Sequence, residues 1–319
     1  MAVLPFKCAA GNADLAALSE GLSEGIVTGL SRFSYLRVIA HSSTRRFGSV
    51  AADVRTVGQE LGARYVMEGS LRQAGSRLRV AVQVIDAATG AHLWAENYDR
   101  AFDASEIFAL QDDLVPRIVS TTADMHGVLP HSMSEALRHR DPETLSPHEA
   151  VLRAFGDIER LSADEHAEVR RILERAVELA PDRADCWAML ARVYTSEHSH
   201  NFNPRPDPLG RALEAARRAV AAAPSNHLAH GHLAEAHFFR REYGAFRNAA
   251  ERAIALNAMD GDTVANMGIL IAYTGDWDHG CALAEQAMQL NPHHPRCSGS
   301  ASSSMPTASG TTAPQWTSP

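Results

Sequence analysis

The chain has 319 residues, enough to bury two cores, and carries a formal net charge of −8. No basic stripe long enough to follow a phosphate backbone occurs, so nucleic acid is not an expected partner of this chain alone. The start, MAVLPFKCAAGNAD, lacks the basic and apolar regions of a signal peptide, and no apolar run has bilayer length, so a cytoplasmic protein without membrane contact is expected.

Ala2 to Phe6 is a short apolar run closed by Gly11 and Asn12, and it predicts a buried strand. From Ala13 to Phe33, Leu15, Leu18, Leu22, Ile26, Val27 and Leu30 recur at helical spacing. Gly21, Gly25 and Gly29 lie four apart on that helix, each costing about 1 kcal/mol against alanine, so a close approach to a sheet is expected to compensate. Leu36 to Ala40 predicts a second strand, and Val50 to Leu61 a second helix ending at Gly62. Arg64 to Arg72, Leu78 to Ile85 and His92 to Tyr98 then alternate with a period of two, predicting a meander with Leu78, Val80, Val82 and Val84 on one face. Gly75 and Gly90 stand in its turns, available for positive φ. A helix from Ala104 to about Met125 closes the region, giving an α/β domain with a mixed five-stranded sheet and packed helices over residues 1–125.

The phrases AVLPF, EGLSEGIVTGLSRF, LRVIAHSST, VGQELGARYVMEGSLRQAG, RVAVQVIDAATGAHLWAENYDR and IFALQDDLVPRIV resemble the TolB-amino-terminal-like domain of bacterial regulatory proteins. That resemblance implies a domain standing after a class III adenylate or guanylate cyclase domain, or after a winged-helix DNA-binding domain, and before tetratricopeptide repeats. Residues 126–146 are expected to be a linker.

Residues 147–292 repeat. RALEAARRAVAAAPSN, AFRNAAERAIALNAMD and HGCALAEQAMQLNPHH place Ala219, Ala253 and Ala287 at intervals of 34 residues, the tetratricopeptide period. A fourth copy, RRILERAVELAPDR, places Ala176 in the same role 43 residues before Ala219, and the excess falls in a loop over residues 196–208. Each unit is a helical hairpin too small to bury its own apolar face, so all-α solenoid stacking is expected. Trp187, Leu190, Ala191 and Tyr194 reproduce the large and small spacing of a first helix; Pro181, Pro224 and Pro292 follow second helices, with Ala258 in the equivalent slot of one copy.

The tetratricopeptide resemblance implies that the first helices line a groove for a protein or peptide ligand. Transferred residue by residue, it selects Arg192, Glu235, Phe238, Phe239 and Tyr273, with Phe238 and Phe239 open to an alternative role as core between repeats. Residues 293–319 form either a disordered tail or the product of a shifted reading frame, the latter favoured because composition breaks where a further helix should begin. Leu283, Met288 and Leu290 would then lack cover, favouring self-association through the last repeat.

Nothing in the sequence calls for catalysis, a cofactor or a metal. Gly21 to Gly25 matches G-x-S-x-G, but Ser23 falls inside a helix rather than on a strand-to-helix elbow. His227, His230 and His237 lie near one helix face, with His198 and His200 close by, yet His230 and His237 occupy the slots of Trp187 and Tyr194, so packing accounts for them better than zinc. Cys8, Cys186, Cys281 and Cys297 show no C-x-x-C spacing. The chain is therefore expected to be a non-catalytic, protein-binding regulator. The alternatives are the detached regulatory half of a class III cyclase, whose metal-binding aspartates would stand ahead of residue 1, and the effector part of a winged-helix transcriptional regulator.

Overall fold

A computed structural model describes residues 1–9, 11–48, 53–160 and 162–292. The expectation of a tail over 293–319, with Cys297 in it, lies outside the described residues, as does the start at Val50 of the second predicted helix.

Among the described residues the sheet has four strands, not five. β1 (Ala2–Val3) runs parallel to β2 (Tyr65–Ala74), which pairs antiparallel with β3 (Arg77–Asp86), and β3 with β4 (Ala91–Ala101), in the order β1-β2-β3-β4. Pro5 has no amide to donate, so β1 stops early and pairing resumes only at Lys7, opposite Ser70. The expected strand over 36–40 reaches β1 only through Ile39 N donating to Met1 O at 2.8 Å, and it stays irregular because β1 is too short to support a ladder. The β2–β3 hairpin turns at Gly75 with φ 59°, and Leu78, Val80, Val82 and Val84 are buried on one face as the alternation requires.

Against that face lie α1 (Ala13–Leu30) and α4 (Ile107–Ala123), while α2 (His41–Thr44) and α3 (Val54–Leu61) flank the sheet. Asn12 caps α1 by accepting from the amides of Asp14 and Leu15. Leu15, Leu18, Leu22, Ile26 and Leu30 are buried, each contributing about 1.5–3 kcal/mol. The glycines on α1 permit a close approach to a helix, not to the sheet. A Cβ built at Gly21, Gly25 or Gly29 would lie within 3 Å of Gln111, Val115 or Val119, all on α4. Ser23 sits mid-helix, donating to Ser19 O at 2.8 Å and accepting from Phe6 N at 3.1 Å, so it ties α1 to the segment after β1.

The segment expected as a linker is largely ordered helix: α5 (Val128–Leu137) packs on α4 and on α6 (Pro147–Arg160). A capping box, Ser146 with Glu149, starts α6. Then follow α7 (Ala163–Leu179), α8 (Ala184–Ser199), α9 (Pro208–Ala222), α10 (His227–Phe239), α11 (Tyr243–Leu256), α12 (Gly261–Tyr273) and α13 (Trp277–Leu290), which pair as four tetratricopeptide hairpins, α6/α7 to α12/α13.

The four copies agree in detail. Ala176, Ala219, Ala253 and Ala287 are all buried, and each carbonyl accepts from the amide four residues on, at Ala180, Ala223, Asn257 and Asn291. Those four closing residues share one backbone conformation, φ between −139° and −149° and ψ between 73° and 95°. The proline or Ala258 that follows is thus turned out of the helix path in every copy. The extra loop falls between α8 and α9, where Asn201, Asn203 and Asp207 adopt positive φ. It closes over the buried Glu197, whose carboxylate accepts from Arg170 Nη1 at 2.7 Å, from Arg211 Nη2 and from Arg205 N at 3.3 Å.

One apolar cluster runs from the sheet through α4, α5 and α6 as far as Ala236 on α10, so the first domain and the repeats share a core. Leu283 and Leu290 on α13 are buried rather than uncovered; besides α12, α13 has α4 as a neighbour, where Arg117 Nη1 donates to Gln289 O at 2.7 Å and Asn291 Nδ2 to Asp124 Oδ2 at 3.1 Å.

Candidate partner-binding surface

The first helices of the hairpins, α8, α10 and α12, place the sequence-selected residues at corresponding heights: Arg192 on α8, Glu235, Phe238 and Phe239 on α10, and Tyr273 at the end of α12. Arg192 is half-buried. Glu235 is buried, and its carboxylate contacts His232 Nδ1 at 2.9 Å and accepts from Asn266 Nδ2, so this acid is already engaged between neighbouring hairpins. Phe238 is half-buried with its ring edge-on to Phe246 of α11 at 5.4 Å and to Phe239 at 5.3 Å, which is packing within its own hairpin. Phe239 is half-buried beside His198 at 5.8 Å. Tyr273 is 70% exposed.

Two further aromatics flank these residues and are not selected by the sequence reading. Tyr243 and Trp277 are exposed, stand 34 residues apart, and open the second helices α11 and α13 directly after the hairpin turns. The shared period is the signal that could have found them. With Phe239 and Tyr273 they line the turn side of the last two hairpins, and Arg247 pairs with Asp276 across it at 2.8 Å.

The opposite ends of the same helices meet the first domain. Ser34 Oγ and Asn226 Nδ2 each donate to Asp185 Oδ1 at 2.6 Å, the Phe33 ring stands edge-on to His227 at 5.6 Å, and Tyr35 packs on Phe155 at 4.9 Å. His126 lies 3.4 Å from Asp262, and His227 3.0 Å from Asp260. The loop 31–36 therefore seats on the starts of α8 and α10, a role its sequence does not signal.

The histidines diverge in their partners. His230 Nε2 contacts Pro224 O at 3.0 Å just as Trp187 Nε1 donates to Pro181 O at 2.8 Å, so His230 fills the tryptophan slot with the same hydrogen bond. His237 Nδ1 contacts Glu242 at 2.6 Å, and His200 stacks on Phe202 at 5.3 Å. Burial and the Glu174 carboxylate push the Tyr194 hydroxyl up to about 12, while the Arg211 guanidinium lies over its ring at 4.3 Å. Among the described residues no helix is long and apolar enough to cross a membrane.

Residues 1–117 match the family model for the second domain of HilA/YgeH-like transcriptional regulators. Over 221 residues the chain is 36% identical to "Putative adenylate cyclase 3" of Rhizobium meliloti (strain 1021), an alignment covering 69% of this chain and 37% of that protein. The chain thus spans little more than a third of the length of this curated relative. Among solved structures it is similar to TTC0263, a thermophilic TPR protein of Thermus thermophilus, with TM-score 0.42 and 15% identity over 52% of this chain and 83% of the other. It is also similar to YrrB, a TPR protein with an unusual peptide-binding site, with TM-score 0.34 and 13% identity over 59% and 89% of the two chains.

Proposed function

We propose that this chain is a non-catalytic regulatory module that holds a protein partner on its repeats, with Arg192, Glu235, Phe238, Phe239 and Tyr273 lining the contact and a first domain of TolB-amino-terminal-like type docked beside them. The observation that carries this reading is the exposure of Tyr273 and Trp277, at 70% and 52%, on either side of one hairpin turn. Large aromatics left in solvent at one place cost apolar hydration and are the side chains most often used as anchors in protein interfaces. Phe238 and Glu235 contribute by fixing the neighbouring helix, since both are engaged with other residues of the repeats.

Capture of partners from lysate with the full chain, compared with Tyr273→Ala and with Trp277→Ala, tests the reading. Loss of the same captured proteins in both variants is the expected result. Equal recovery of every protein by all three baits removes it.

A second reading, the regulatory part of a class III nucleotide cyclase, is supported by the 36% identity to the Rhizobium meliloti protein. A third, the effector part of a winged-helix transcriptional regulator, is supported by the match over residues 1–117. In either case the catalytic or DNA-binding part would lie outside these residues, and genomic sequence upstream of Met1 separates the two by whether it encodes cyclase aspartates or a winged helix.

A further inference from the structure

A cavity of about 260 Å³ opens where the first domain meets α5 and α6, between residues 35–37, residues 62–65 and the two helices. Its floor is apolar, from Leu36, Met133, Leu137 and Leu152, and its polar rim is mainly cationic. Arg64 on the rim is matched by Asp86 at 3.4 Å, and Glu149 by Arg140 and by the cap of α6. Arg37 is exposed at the mouth, and Arg183 stands behind His148.

The state of His148 follows from these neighbours. Arg183 Nη2 donates to His148 Nδ1 at 2.9 Å, and a guanidinium cannot accept, so Nδ1 is unprotonated and Nε2 carries the ring hydrogen. Burial first, then the Arg183 and Arg37 charges, hold the imidazole below its ordinary value, against the weaker pull of Asp185 and Glu149. The cavity therefore presents a neutral N–H donor and a nearby guanidinium above an apolar floor.

We propose that this cleft binds a small amphiphilic anion, its head on Arg37 and His148 and its apolar part on Leu36, Met133, Leu137 and Leu152. Pockets at domain junctions with an apolar lining and a few convergent polar groups are the usual form of small-molecule sites. At about 30 Å³ per water, the volume corresponds to roughly nine waters, which suits a chain of about six carbons and excludes a nucleotide. A carboxylate bound beside His148 would favour the imidazolium, so binding takes up protons and strengthens as pH falls.

Calorimetric titration of the full chain with sodium hexanoate, hexanol and inorganic phosphate tests this. Hexanoate is expected to bind at least tenfold more tightly than either of the others, Arg37→Ala to weaken it at least fivefold, and the NMR-detected His148 titration to move upward when hexanoate saturates the site. Arg37 is exposed, so its replacement leaves the fold intact, which circular dichroism verifies. No binding of hexanoate, equal binding of hexanol or phosphate, or unchanged affinity in Arg37→Ala overturns the proposal. None of these readouts involves the repeat surface, so the protein-binding reading stands or falls separately.

Discussion

Replacing Gly29 by alanine sets two terms against each other. Alanine is intrinsically better than glycine in a helix interior by about 1 kcal/mol, so a bare helix would be stabilised. In the folded chain the new methyl would lie 2.8 Å from Val119 Cγ2 on α4 and 2.9 Å from Met259 Sδ in the turn before α12. Gly29 is also the penultimate residue of α1, where the helical gain is smaller. Overpacking costs about 1–3 kcal/mol, so the clash wins and Gly29→Ala should lose about 1–2 kcal/mol. Gly25 is the internal control: its nearest contact is a single methyl, Val115 Cγ2 at 2.9 Å, with the next atoms at 3.4 and 3.7 Å. A shift of a few tenths of an ångström relieves that contact, and Gly25→Ala should stay within about 0.5 kcal/mol of wild type. Urea unfolding followed by circular dichroism measures both. Combining Gly29→Ala with Val119→Ala should cost less than the sum of the two single changes, because the second removes the obstruction to the first. A Gly29→Ala protein as stable as wild type, or additivity in the double variant, would show that α1 and α4 are not in the tight contact described.

Glu197 gives a pH test. Burial opposes its ionisation, but hydrogen bonds from Arg211 and Arg170 and from the Arg205 amide outweigh burial and hold the carboxyl below its ordinary 4.5. A carboxylate depressed on folding contributes stability that is present above its unfolded pKa and lost as pH falls through the folded one, so the melting temperature should drop below about pH 4.5, less steeply in Glu197→Gln. At pH 7 that variant should lose about 3 kcal/mol, the lower end for a broken buried pair because Arg211 retains some contact with solvent. Burial pushes the Cys186 thiol up to about 12 against the pull of Arg183. In the native protein at pH 8, iodoacetamide should therefore alkylate the half-buried Cys8 and Cys281 well before Cys186, and mass-spectrometric labelling at equal rates would contradict the packing of α8 on α6.

The repeats are legible in the sequence because their signal is periodic and redundant: a buried alanine every 34 residues, a proline turned out after each second helix, and a compensating loop where the period stretches. The meander is legible because alternation with a period of two and a glycine at each turn point to one register. The failures are local and physical. Pro130 reads as a helix breaker, yet it occupies the first turn of α5, where its missing amide is not needed. The strand over 36–40 has suitable residues but no ladder to join, because Pro5 cuts its neighbour short. The α1 glycines announce a close approach without naming its partner, since spacing on one helix carries no information about which element comes to meet it. At the candidate surface, the engagement of Glu235 depends on Asn266 of the next hairpin, and that of Phe238 on Phe246 after the turn. Such relations exist only once hairpins are stacked.

The shared core has a consequence for fragments. Cutting the chain ahead of Pro147 would leave residues 147–292 with the expected repeat pattern complete, so sequence alone suggests an autonomous unit. The structure argues otherwise, because the starts of α8, α10 and α12 and the end of α13 are finished by residues of the first domain: Ser34 on Asp185, Phe33 on His227, His126 beside Asp262 and Asp124 on Asn291. Removing them uncovers Phe155 and Leu290 and gives up at least three buried polar contacts, each net about 0.5–1.5 kcal/mol. Burial of Phe33 and Tyr35 adds about 1.5–3 kcal/mol apiece. Losses of that order approach the whole stability of a typical domain, about 5–15 kcal/mol. The full chain should therefore melt in one calorimetric transition. Residues 147–292 alone should melt at a temperature lower by about ten degrees or more, at roughly 2–4 °C per kcal/mol. A fragment with the melting temperature of the full chain would mean that the first domain merely touches the repeats and does not complete them.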